Sequence, residues 1–218
     1  MQIIDICRLI TNFDKLREIN MEKTRKNEDL RVKKTKQLIK EAFIELIEIK
    51  GYNYVSVSDI TKKANINRNT FYLHYNDKED LILKLISKAY AKLDNELKYF
   101  TSIRKTAMDQ ISEIEIRWGV RKILKMIEPE LEFYRIIFLD KSTQGYLNVL
   151  NMMLKKHLAT LLNVKNIRSN LIYEYAFSGM FGLIEQWIIY SPTTVDETAK
   201  ILAKLAYSNL QEFKEIND

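Results

Sequence analysis

Two prolines and five glycines in 218 residues leave this chain few places to turn sharply. A sheet protein needs many short, turn-rich connections, so an all-β sandwich or barrel is a poor fit. Long helices with short links are the natural alternative. The apolar residues agree. Leu38, Ile39, Ala42, Phe43, Leu46 and Ile47 recur at intervals of three and four, one face of an α-helix. The spacing predicts a first helix over residues 30–50. Gly51 follows at the place of a left-handed C′ residue.

The segment after Gly51 is the most informative. Ser56 stands three residues before Asp59, a capping-box spacing with Asp in place of Glu. Val57, Ile60 and Ala64 mark the buried face of a short helix. Asn65 tolerates positive φ in a tight connection, and Asn67 suits the N-cap of a third helix. Asn76 and Asp77 close that helix, and Asp77 with Asp80 repeats the box. The next helix carries Leu81, Ile82, Leu85, Ile86, Ala89, Leu93 and Leu97. Two short helices joined by about three residues, between longer ones, is the helix-turn-helix layout.

The side chains suit nucleic acid. Arg68, Asn69 and Thr70 lie at the start of the third helix. Arg pairs with guanine and Asn with adenine through two hydrogen bonds in the major groove. A helix N-terminus favours phosphate, and Tyr72, His74 and Lys78 add groups that hold a DNA backbone. Each also has an ordinary reading: Phe71 and Tyr75 as core, Tyr72 as a half-packed ring, His74 and Lys78 as surface residues. Their order carries the argument.

Charge points the same way. The formal net charge is +6, which permits a nucleic-acid partner without proving one. Residues 21–40 hold eight basic side chains, Lys33 and Lys34 among them, against three acids. Alone, such a run reads as a solvated helix start. Residues 1–20 read as a leader or a misread upstream start, or else as a short amphipathic helix using Ile3, Ile6, Ile10 and Phe13.

Val55 to Leu85, VSVSDITKKANINRNTFYLHYNDKEDLILKL, resembles the DNA-binding domain of the TetR family of transcriptional regulators. The matching residues are Val57, Asp59, Ile60, Ala64, Ile66, Thr70, Phe71, Tyr72, His74, Tyr75, Lys78 and Leu81. The resemblance covers roughly residues 30 to 100. Asn65 replaces the usual turn Gly, and Asn67 the usual Ser. It implies that Lys33, Lys34, Ser56, Asn67, Arg68, Asn69, Thr70, Tyr72, His74 and Lys78 approach double-stranded DNA. It further implies a homodimer built from the last two long helices, a palindromic operator, and a small-molecule effector. Repression is the family default, with activation compatible.

The second half continues in helical periodicity. Residues 103–127 read as one or two helices, with Gly119 as a bend. Pro129 opens the next helix, through about Asp140. Ser142 or Thr143 caps a helix to Leu162. Ser169 or Asn170 starts one to Tyr190, and Thr194 and Glu197 cap a last one to about Phe213. The 170–190 helix is apolar nearly all round and contains Ala176, Gly179 and Gly182. Such a helix needs cover on most sides, so these residues are candidates for a dimer interface. The other reading is an internal core helix with Gly kinks. Trp118, Phe133, Tyr134, Phe138, Tyr173, Phe177, Met180 and Trp187 are pocket candidates, each of which also reads as core. The segment FSGMFGLIEQWI is weakly similar to a TetR subgroup related to regulators of dihydroxyacetone kinase operons, some of which respond to protein partners.

The expectation is an all-α chain. Residues 1–29 form an extension, 30–78 a helix-turn-helix domain and 79–218 a helical ligand-binding and dimerisation domain. No cofactor or metal is expected. One cysteine, Cys7, with only His74 and His157, makes a poor zinc set. The single cysteine fits a cytoplasmic home. Apolar runs such as 136–139 fall far short of the about 20 residues a membrane helix needs. An enzyme is the rival class, but the chain offers no nucleophile–base set and no phosphate-cradling loop. Glu174 and Glu185 lie about three turns apart. A DNA binder without ligand control is a third reading.

Overall fold

The computed structural model describes residues 30–102, 112–161 and 167–217. The expectations for residues 1–29 lie outside these. The described residues form helices α1 (Leu30–Lys50), α2 (Val57–Lys63), α3 (Arg68–Tyr72), α4 (Lys78–Ser102), α5 (Glu113–Ile127), α6 (Leu131–Leu139), α7 (Gln144–Leu161), α8 (Ile167–Tyr190) and α9 (Val195–Asn217). Short 3₁₀ turns occupy Tyr52–Tyr54, Glu128–Glu130 and Lys141–Thr143. No strand occurs among the described residues, and the fold is all-α as expected.

The chain divides into two compact units that interleave along the sequence. One holds the described residues up to Ala91 together with Ile136–Leu150. The other holds Lys92–Arg135 and Asn151–Asp218.

In the first unit α1 packs on α2, and α2 on α3. Ile39, Phe43, Ile60, Phe71, Leu81 and Ile82 are fully buried. Each comes from the apolar face its helix shows in sequence, and burial of each contributes about 1.5–3 kcal/mol. Gly51 has φ 80° and ψ 151°. The left-handed cap expected there is therefore an extended conformation at positive φ, which is open essentially to glycine alone.

In the second unit α9 packs against α5 and α8. Ile116 and Ala203 are buried at one contact, flanked by Val120, Ala206, Tyr207 and Leu210. Arg121 pairs with Asp196 at 2.5 Å. Arg135 ties the α8–α9 corner, donating to the Ile188 carbonyl at 2.9 Å and to Ser191 Oγ at 3.0 Å. The Thr194–Glu197 box opens α9 as read, with Glu197 N–H donating to Thr194 Oγ1.

Four element readings change. α5 runs through Gly119 without a break, and it begins at a Ser112–Glu115 capping box the sequence reading passed over. Residues 103–111 lie outside the described residues. Pro129 sits in the 3₁₀ turn before α6. Asp140, not Ser142 or Thr143, does the capping before α7: its carboxylate accepts the Ser142 N–H at 2.8 Å. α8 begins at Ile167, ahead of Ser169 and Asn170.

Candidate nucleic-acid interface

The site is built from α2, the turn and α3. Ser56 caps α2, its Oγ accepting the Asp59 N–H at 3.2 Å while Asp59 accepts the Ser56 N–H at 2.9 Å. Lys50, at the end of α1, donates to the same carboxylate at 2.7 Å. The Lys50 ammonium first, then Ser56, holds Asp59 well below the usual carboxylate range. α1 and α2 are thus tied at the point where the chain enters the motif.

Asn65 adopts φ 51°, the left-handed turn expected where the family has glycine. Asn67 then caps α3, its Oδ1 accepting the Asn69 N–H at 2.9 Å. α3 has two faces. Phe71 is wholly buried and Tyr75, just past its end, nearly so, with ring centroids 5.5 Å apart. On the other face Arg68 and Asn69 are exposed, Tyr72 is 51% exposed and Leu73 80%. Tyr72 stands edge-on to Phe71 at 5.7 Å, which fixes its ring and leaves its outer edge in solvent.

The end of α3 is pinned. Lys84 donates to the His74 carbonyl at 2.9 Å and to Asp80 at 2.8 Å. The second capping box is shifted by one residue. Asp77 accepts the Asp80 N–H at 2.6 Å, but Asp80 accepts from Asn76 rather than from Asp77.

The expected DNA-facing residues divide accordingly. Lys33, Lys34, Ser56, Asn67, Arg68, Asn69 and Tyr72 are exposed, and Thr70 and His74 are half-buried. Lys78 is half-buried too. Its ammonium donates to the Tyr52 and Asn53 carbonyls at 3.0 and 3.2 Å and lies 4.6 Å over the Tyr52 ring. It holds the turn after α1 against the start of α4.

Sequence reasoning missed a polar cluster around Tyr52. The Tyr52 N–H donates to Asp140 at 2.8 Å, and its hydroxyl lies 3.3 Å from both Tyr146 and Glu79. Burial, then Tyr146, pushes the Tyr52 phenol far above its ordinary range. No local spacing signals these partners. Lys84, four residues after Asp80, was visible as a helix pair.

The pocket candidates are spread out. Phe133, Tyr134, Tyr173 and Trp187 are buried in the second unit and Phe138 in the first. Burial pushes Tyr134 up to about 12. Trp187 Nε1 donates to the Thr193 carbonyl at 3.1 Å. Tyr173 lies tilted against Phe177 at 5.9 Å between ring centroids and donates to the Lys155 carbonyl. Met180 is half-buried. Trp118 lines a groove with Glu96, Leu97, Ile116, Val120 and Ile123.

The dimer candidates lie on or beside one stripe. Leu171 and Tyr175 are 65% and 73% exposed on α8, followed by Gly179, Gly182, Leu183 and Tyr190. Ala176, half-buried, flanks it. Ile201 and Leu205 of α9 are exposed too.

An all-α chain with a capped two-helix motif and an exposed Arg-Asn-Tyr face defines a helix-turn-helix protein. Residues 39–85 match the model of the bacterial regulatory proteins of the tetR family, and residues 115–208 match a transcriptional regulator C-terminal region. The chain belongs to the TetR family, whose members are DNA-binding transcriptional regulators and not enzymes. It is 37% identical over 75 residues, 34% of its length, to the uncharacterised HTH-type regulator YxbF of Bacillus subtilis. It is 36% identical over 62 residues, 28% of its length, to DhaS, the dhaKLM operon transcriptional activator of Lactococcus lactis. These matches span 20% and 33% of the two relatives. The fold is similar to that of a TetR-like regulator from Rhodococcus sp. RHA1, with TM-score 0.59, 17% identity, and 81% and 96% of the two chains covered. A structure of the dihydroxyacetone kinase operon activator DhaS gives TM-score 0.53 at 20% identity, covering 83% and 96%. Among the described residues no helix is long and apolar enough to cross a membrane, and no cluster suits a metal.

Proposed function

We propose that this chain is a cytoplasmic DNA-binding transcriptional regulator, acting as a homodimer on a near-palindromic operator and repressing from it. One observation carries the reading: α3 is held from behind by Phe71 and Tyr75 and presents Arg68, Asn69 and Tyr72 outward. Arg68 and Asn69 read base edges. Lys33 and Lys34 take backbone phosphates. Two-fold pairing through the α8–α9 stripe places two copies of α3 on half-sites about one helical turn apart.

A small-molecule effector bound in the C-terminal half shifts the dimer between a form that matches the half-site spacing and one that does not. The groove beside Trp118 is its candidate site. Control by a protein partner is the second reading. It is favoured by the burial of Phe133, Tyr134, Phe138, Tyr173 and Trp187 as packed side chains.

Selection of random duplex DNA on the purified protein at about 0.15 M salt tests the reading, with salt fixed because backbone binding varies steeply with it. Emergence of a palindrome is expected. Retention without sequence preference overturns sequence reading. If nothing is retained even after unfolding and refolding to strip bound ligand, the DNA-binding reading fails altogether.

A further inference from the structure

We propose that Leu73 is a base-reading residue that packs on the 5-methyl group of a thymine in the major groove, one per half-site. The inference rests on α3 being the reading helix.

Leu73 is 80% exposed. Lone exposed leucines are ordinary on protein surfaces, so exposure by itself decides nothing. Position decides it. Leu73 follows Asn69 by four residues, and its N–H donates to the Asn69 carbonyl at 3.0 Å. Residues so spaced share a helix face. Leu73 therefore stands over the same face as the exposed Asn69 and beside Tyr72.

Its backbone is held on both sides. Tyr75 is buried behind it, and Lys84 fixes the His74 carbonyl at 2.9 Å. The side chain is thus presented from a fixed backbone, and only its own rotamers are left to be ordered on binding.

The major groove offers one apolar feature, the thymine 5-methyl. Leucine makes no hydrogen bond, so a cytosine amino group buried against it would lose its water without replacement. The same side chain favours a T·A pair and disfavours C·G, attraction and rejection at one position. Four residues of helix advance about 6 Å, less than two base-pair steps of about 3.4 Å. An adenine under Asn69 and the thymine under Leu73 therefore lie within about two base pairs.

The test uses the full-length protein and its selected operator. Each thymine is replaced in turn by deoxyuridine, which removes the methyl and nothing else. At one thymine per half-site the loss of affinity is expected to be about fourfold, and about fifteenfold when both half-sites are changed, the worth of one buried methyl each. With Leu73→Ala, deoxyuridine and thymine at that position should bind alike, while Asn69→Ala keeps the deoxyuridine effect. Because 5-methylcytosine carries the same group, placing it in a C·G pair at this position should recover that factor over plain cytosine. If no thymine distinguishes wild type from Leu73→Ala, the inference falls while sequence reading stands. If no palindrome is selected, the reading beneath it falls first.

Discussion

The carboxylate of Asp140 accepts the backbone N–H of Tyr52 at 2.8 Å, although the residues are 88 positions apart. Its other oxygen accepts the Ser142 N–H at 2.8 Å, so one side chain both caps the turn into α7 and satisfies the donor just past Gly51. The glycine is needed there because φ 80° with ψ 151° is a backbone conformation that residues with a side chain rarely adopt. Asp140→Ala removes a cap and leaves the Tyr52 N–H without its acceptor. The expected loss is about 1–3 kcal/mol, read as a lower urea midpoint at unchanged m-value. An unchanged midpoint would show that water replaces the carboxylate at no cost.

Asp59 gives acid sensitivity a definite sign. Its carboxyl is held below the usual range by Lys50 and Ser56. In the unfolded chain it titrates near about 3.9. A depressed folded pKa contributes stability that is fully present above that value and lost as pH falls below it. Asp59→Asn should therefore lower the midpoint at pH 7 and matter progressively less below about pH 4. Parallel acid limbs for the variant and the wild type would refute the assignment.

These two aspartates show what the sequence reveals and what it hides. The Ser56–Asp59 box, the Asn65 turn and the Asn67 cap are contacts within a few residues, so spacing alone exposes them. Asp140 has a partner 88 residues away, and no local rule finds it. Lys78 reads in the sequence as a DNA-backbone contact, and its hydrogen bonds to the Tyr52 and Asn53 carbonyls, 26 and 25 residues away, lie beyond any local rule. Leu73 went unnoticed for a different reason. A leucine in a helical pattern reads as core, and only the positions of Phe71 and Tyr75 show which face is buried.

Lys33 and Lys34 should act differently from Arg68. Both lysines are exposed on α1, and phosphate contacts fix register without reading sequence. Replacing either with Ala should weaken all duplexes alike. The slope of log affinity against log salt should become shallower by about 0.9 per lost contact. Arg68→Ala should cost about 1–3 kcal/mol on the selected operator and much less on unrelated DNA. Binding isotherms at several salt concentrations separate the two patterns. A uniform loss from Arg68→Ala would move it to the backbone set.

Gly179 tests the pairing of subunits. It lies on the exposed α8 stripe with Leu171, Tyr175 and Leu183, and a Cβ built there meets nothing within 4 Å in the single subunit. For an isolated helix, replacing an interior glycine with alanine gains about 1 kcal/mol. Within one subunit, therefore, Gly179→Ala and even Gly179→Leu should stabilise or be neutral. A second copy of α8 lying across the stripe reverses the sign, because the larger side chain holds the two backbones apart. Gly179→Leu is expected to keep the helical circular dichroism of the wild type, sediment as a monomer at micromolar concentration and lose operator affinity. A variant that melts higher than the wild type and still sediments as a dimer would place the subunit contact elsewhere. Leu171 and Tyr175 would then remain an apolar surface without a partner in the dimer.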